Sequence, residues 1–158
     1  MKSEPDPKRI PLVDINDTFN RLIRPTEDEQ NRDYWQTPTE SIMLLTGDCE
    51  DYAICKYYAC LIYGYDPKTI ELRAVRLDAR YHGGRAGDTI NHLFLVVDGW
   101  CLDNYVKEIV KLDARKDVLS TYAVIEPGVE NNYPQWNDML ARRTPESDTA
   151  LISSCFAY

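Results

Sequence analysis

The stretch Thr46-Gly47-Asp48-Cys49-Glu50-Asp51-Tyr52-Ala53 constrains this chain more than any other part of it. A glycine turn runs into Asp48, a side chain suited to capping a helix. From there Ala53, Ile54, Tyr57, Tyr58, Leu61 and Ile62 recur at the three- and four-residue spacing of a helix with one stripe against a core. Gly64 ends the pattern. Cys49 then falls on the first helical position, where unpaired backbone N–H groups and the positive end of the helix dipole favour an anion. Three acids crowd the same turn, and a carboxylate about 6 Å from a thiolate disfavours it by roughly 2–3 kcal/mol at an effective dielectric of about 20. Positive charge must offset this: a histidine cation for the sulfur, or a hard cation held by Asp48, Glu50 and Asp51 for the carboxylates. A buried cysteine opening a helix, with acids placed to suit the dipole, is the competing account.

At 158 residues and 44% hydrophobic, the chain suits a single domain spanning residues 1–158, with 1–11 and 145–158 loosely ordered. A net charge of -8 argues against a nucleic-acid or anionic-membrane surface, and the arginines between Arg73 and Arg85 are expected on a solvated face. No apolar run is long enough to cross a bilayer, and Met1-Lys2-Ser3-Glu4-Pro5-Asp6-Pro7 carries no apolar signal core. Five cysteines, with no close pair, fit free thiols in a reducing compartment. The expectation is therefore cytoplasmic as the sequence is written, or periplasmic had a leader been removed. No C-x-x-C or close His pair supports structural zinc.

Along the chain, Val13, Ile15, Phe19, Leu22 and Ile23 outline a helical face ending before Pro25, and 26–32 reads as an acidic loop. Thr37-Pro38-Thr39-Glu40 is a capping box that opens a short helix leading into the cysteine turn. Ile70 to Leu77 predicts a strand whose alternation slips between Ala74 and Val75, which implies a bulge or cover on both faces. Tyr81 to Asp88 is a glycine-rich loop without a phosphate-binding pattern. Asp113 to Asp117 is a polar turn, Leu119 to Ile125 a last strand, and the remainder reads as surface wrapping with a weak helix at 136–142.

Asp98-Gly99 between two apolar runs is a strong hairpin signal. A two-residue loop there sets Val97 opposite Trp100, Phe94 opposite Asp103 and His92 opposite Tyr105. His92 and Asp103 then share a face, diagonally adjacent and within hydrogen-bonding reach. A thiol at a helix start, a histidine on one strand and an acid on the next are the parts of an acyl-transfer site. His92 would take the proton of Cys49, and Asp103 would fix the imidazole tautomer. The Cys49 backbone N–H would supply one oxyanion donor, with Trp35 or Gln36 offering a second.

These residues bear a family resemblance. Asp33-Tyr34-Trp35-Gln36-Thr37-Pro38-Thr39-Glu40, the run from Gly47 to Tyr57, His92-Leu93-Phe94-Leu95 and Leu102-Asp103-Asn104 closely resemble the bacterial transglutaminase-like cysteine proteinases of the LapG-like group, over about residues 13–125. The resemblance implies an α+β, papain-like or transglutaminase-like core with the nucleophile helix packed on an antiparallel sheet. It also implies a Cys49-His92-Asp103 triad and a calcium site drawing on Asp48, Glu50 and Asp51. For partners it implies a protein substrate of the surface-adhesin class and a regulatory protein. Two readings of other kinds stay open: transglutamination or glutamine deamidation on the same triad, and a calcium-dependent binding module without turnover.

Overall fold

The computed structural model describes residues 10–26, 34–127 and 133–157. The expectations for residues 1–9, for most of the acidic loop and for Asn131-Asn132 lie outside these. Helix α1 (Leu12–Leu22) buries Ile15 and Phe19 but leaves Val13 exposed. A two-residue strand β1 (Arg24–Pro25) pairs in parallel with β2 (Thr46–Gly47). Between them lies α2 (Pro38–Leu44), whose capping box has both halves: Glu40 N–H donates to Thr37 Oγ1, and Thr37 N–H donates to Glu40 Oε1.

Helix α3 (Cys49–Ile62) is the centre of the molecule. Its single apolar stripe is the expectation that fails, because every residue from Glu50 to Cys60 is buried, Lys56 included. The sheet covers one side of it, and α1, α2 and the C-terminal helix α5 (Pro145–Cys155) pack around the rest. The stretch expected to be loosely ordered is thus the helix α5, which buries Ile152 and Asp148. Asp148 Oδ1 accepts from Thr39 N–H (3.0 Å) and Thr39 Oγ1 (2.6 Å), anchoring the start of α2. Helix α4 (Pro134–Arg142) is likewise no surface wrapping, since Trp136 is fully buried against Tyr57.

The antiparallel sheet has the order β6-β5-β4-β3-β7, with β3 spanning Ile70–Asp78, β4 Thr89–Val97, β5 Trp100–Leu102, β6 Val110–Lys111 and β7 Val118–Ile125. Against β7 the register of β3 shifts between Ala74 and Val75. Both halves of the expectation hold there. Ile70, Leu72 and Ala74 join the core under α3, whereas Val75 and Leu77 join a second cluster with Phe94, Val96 and Cys101. Asp98 and Gly99 both take positive φ (49° and 82°), the backbone a tight two-residue hairpin turn requires, and Val97 pairs with Trp100 as read from the sequence. The ladder stops at Leu95–Leu102, so Asp103 leaves β5 one residue before it would pair with Phe94.

Candidate active site

The turn before α3 forms for local reasons. Gly47 lies so close to Asp51 that an added Cβ would stand 2.7 Å from Asp51 Cβ, so no larger residue fits without a shift. Asp51 turns back over the helix start: its Oδ2 accepts from Asp48 N–H (3.0 Å) and its Oδ1 from Gln36 N–H (2.9 Å). One carboxylate thereby fastens the Trp35-Gln36 segment to the nucleophile turn. Cys49, on the first turn and partly exposed, donates its S–H to Glu50 Oε2 at 3.2 Å. Burial, then the charge and hydrogen bond of Glu50, push this thiol up, while the Leu93 backbone N–H beside it acts the other way. Burial and the neighbouring Asp48 also push the carboxyls of Glu50 and Asp51 up.

Opposite lies a second polar group. His92, on β4, is buried, and its Nε2 stands 2.6 Å from Asp103 Oδ1. The Tyr105 ring stacks on the imidazole at 3.9 Å and 20°. With Asp103 ionised, its oxygens only accept, so Nε2 of the neutral ring carries the proton and Nδ1 presents a lone pair. Nδ1 is buried and has no hydrogen-bond partner among the described residues. Burial raises Asp103, but hydrogen bonds from His92 and Tyr105 N–H and the charge of Arg115 hold its carboxyl below the usual range. Its backbone carbonyl accepts from Asn20 Nδ2 (2.9 Å), and Asn20 Oδ1 accepts from the buried Lys56 (2.7 Å), whose ammonium burial pushes down to about 7.

Both groups open onto one cleft of about 480 Å³, walled by Trp35, Cys49, Glu50, His92, Tyr122 and Tyr133. The three side chains singled out in the sequence thus converge: Cys49 and His92 share the cleft, and Asp103 stands behind His92. The sequence matches a family of bacterial transglutaminase-like cysteine proteinases over residues 3–143. The chain belongs to that family. Its fold is similar to LapG of Legionella pneumophila, at 23% identity over 83% of this chain and 76% of that one, with a TM-score of 0.66. EGTA-treated and calcium-bound LapG match at 22% and 21% identity over 83% of this chain, covering 76% and 77% of theirs, with TM-scores of 0.66 and 0.63. No curated protein matches.

Membership in the family makes the chain a cysteine peptidase, so its substrate is a protein. No helix among the described residues is long and apolar enough to cross a membrane. For this transglutaminase-like cysteine proteinase, Asp48 and Glu50, on either side of Cys49, suit a hard cation: both bring oxygen donors, and Asp48 raises the cost of ionising Glu50. Asp51, expected as a third ligand, accepts one backbone N–H on each of its oxygens. Among the described residues no three His, Cys, Asp or Glu side chains stand together as a metal cage. Of the two suggested oxyanion donors, Gln36 spends its N–H on Asp51 and its Oε1 on Ser41 (2.8 Å), whereas Trp35 lines the cleft.

Sequence reasoning missed Tyr122, Tyr133 and Gln135, which β7 and α4 bring to the cleft wall, and for which no local pattern exists. It also missed Arg115 and Asp117. The polar turn is not solvated at these positions: both are buried, and Arg115 Nη1 donates to Asp103 Oδ2 at 3.0 Å. A basic and an acidic residue two apart was the available signal, too common to single out.

Proposed function

We propose that Cys49, His92 and Asp103 form a catalytic triad that cleaves peptide bonds through a thioester on Cys49. The observation that carries the reading is the state of His92. One ring nitrogen is held by a buried carboxylate, the other has no partner among the described residues, and the ring lines the same cleft as the thiol at the start of α3. In the first half-reaction His92 Nδ1 takes the thiol proton and the sulfur attacks the scissile carbonyl carbon. The developing oxyanion is met by the Cys49 backbone N–H at the helix end. His92 then returns the proton to the leaving amine as the C–N bond breaks. In the second half, water gives a proton to His92 and its oxygen to the thioester carbon, the C–S bond breaks, and the thiol is restored.

Calcium belongs to the same proposal. Asp48 and Glu50 would hold it, and the positive charge it supplies would relieve the repulsion that burial forces on the pair and draw Glu50 away from the thiol. The adhesin-class substrate and the regulatory protein partner extend the proposal through the family resemblance. Iodoacetamide labelling tests the core of it. Cys49 is expected to react at neutral pH far faster than the buried Cys55 and Cys60, and His92→Ala to abolish that advantage. Equal reactivity of the three thiols in the native protein would end the catalytic reading. With a protein substrate, mass spectrometry separates the outcomes: shortened chains for hydrolysis, a gain of about one dalton for deamidation, joined chains for transglutamination.

A further inference from the structure

Resting on the proposed triad, we infer that Arg115 is the positioning residue of the site: braced by Asp117, its guanidinium holds the Asp103 carboxylate in the one orientation that serves His92. The Asp103 side chain has no exposure, and the two oxygens have separate duties. Oδ1 takes His92 Nε2 at 2.6 Å and Tyr105 N–H at 3.0 Å, while Oδ2 takes Arg115 Nη1 at 3.0 Å. Arg115 cannot swing aside. Its Nε and Nη2 donate to Asp117 Oδ1 and Oδ2 at 2.8 and 2.9 Å, and its guanidinium carbon lies 4.9 Å from the centre of the Phe94 ring. Asp117 is in turn fixed by His82 Nε2 at 2.9 Å, so the chain's two histidines end one continuous line of five buried or half-buried polar groups.

The need for such a clamp is physical. A buried carboxylate with one oxygen unmatched either rotates to find a donor or takes up a proton; rotation moves the acceptor away from the Nε2–H of His92, and protonation leaves a weaker acceptor and no charge to stabilise the imidazolium. Another cation acting on Asp103, Lys56 of α3, is bonded to Asn20, which meets the Asp103 backbone carbonyl. Only a planar fork can bond Asp117 with two donors and Asp103 with a third, so lysine is a poor substitute.

The test is the rate of Cys49 modification by iodoacetamide between pH 5 and 9, with thermal unfolding recorded in parallel. Arg115→Met is expected to lower the neutral-pH rate at least about tenfold and to move the acid limb of the profile up by about one pH unit or more, since Asp103 then protonates more readily. Arg115→Lys is expected to recover part of the rate. A folded Arg115→Met with the native profile overturns the inference and leaves Arg115 a structural ion pair. Should that variant not fold, Asp117→Asn, which frees the far side of the guanidinium, must move the limb in the same direction by less; an unmoved limb is equally fatal. His92→Ala separates the levels. If it too leaves the profile unchanged the triad itself is wrong, whereas a profile altered by His92→Ala but not by either clamp variant removes the Arg115 inference alone.

Discussion

Beside Cys49, burial and the neighbouring Asp48 push up the carboxyls of Glu50 and Asp51, and Glu50 adds to the effect on Asp51. Beside His92, Asp103 and Asp117 are also buried yet held below the ordinary range, Asp103 by His92, Tyr105 N–H and Arg115, and Asp117 by Arg115 and His82. All four are buried carboxyl groups, and what differs is the partner. Burial sets the cost of a charge, and a fixed counter-charge decides whether the group carries one. The His92 side is built to keep its charge whatever enters the cleft. On the Cys49 side, burial and like charge make a proton or a bound cation favourable.

The largest effect expected comes from breaking the completed side. Asp103→Asn keeps the shape but can present an N–H to His92, which permits the wrong tautomer, and the loss in turnover should be about 10³- to 10⁴-fold. A steady-state assay on a protein substrate, with unfolding measured alongside, checks it. Full activity would mean that the acid of the site has been misplaced. Because Arg115 would then face an amide, some loss of stability is expected too, and the ratio of the two effects separates catalysis from packing.

Completing the other side is the next largest. If Asp48 and Glu50 take up calcium, the ion at about 100 times its Kd stabilises the folded state by about 2.7 kcal/mol, or roughly 5–10 °C in Tm for a chain of this size. Scanning fluorimetry with calcium and then with EGTA reads this directly. Glu50→Gln should remove the shift, whereas Asp51→Asn should retain it, because Asp51 serves as a cap. A Tm indifferent to calcium takes the metal out of the account.

The two sides also differ in how far they could be read from sequence. The Cys49 turn rests on neighbours: a cap at Asp48, a glycine that clears space for Asp51, and an acid three residues on. The His92–Asp103 pair rests on a hairpin whose register Asp98-Gly99 determines, so a contact 11 residues apart followed from alternation alone. Arg115 owes its place to the path from β6 to β7, which no periodicity announces. The same holds for α5 and Trp136: a polar helix face and an isolated tryptophan look superficial until α2 and α3 are there to cover them. Even α3 looks amphipathic in sequence, whereas it is buried from Glu50 to Cys60 and carries Lys56 inside at a cost its own pattern conceals.

The smallest expected effect sharpens the comparison by titration. The Arg115 fork and the His82 hydrogen bond bring Asp117 down from 3.8 to about 2. A carboxyl depressed on folding contributes stability that is fully present above its unfolded value and is lost as pH falls through its folded value. The contribution of Asp117 should therefore be intact above about pH 5 and fade between about pH 4 and 2. Asp117→Asn cannot titrate, so the stability gap between native protein and variant should be constant near neutrality and close over that acid window, as followed by urea unfolding at a series of pH values. A gap of unchanging size down to pH 2 would mean that Asp117 braces Arg115 by shape and not by charge. The electrostatic contrast between the two ends of the cleft would then rest on Asp103 alone.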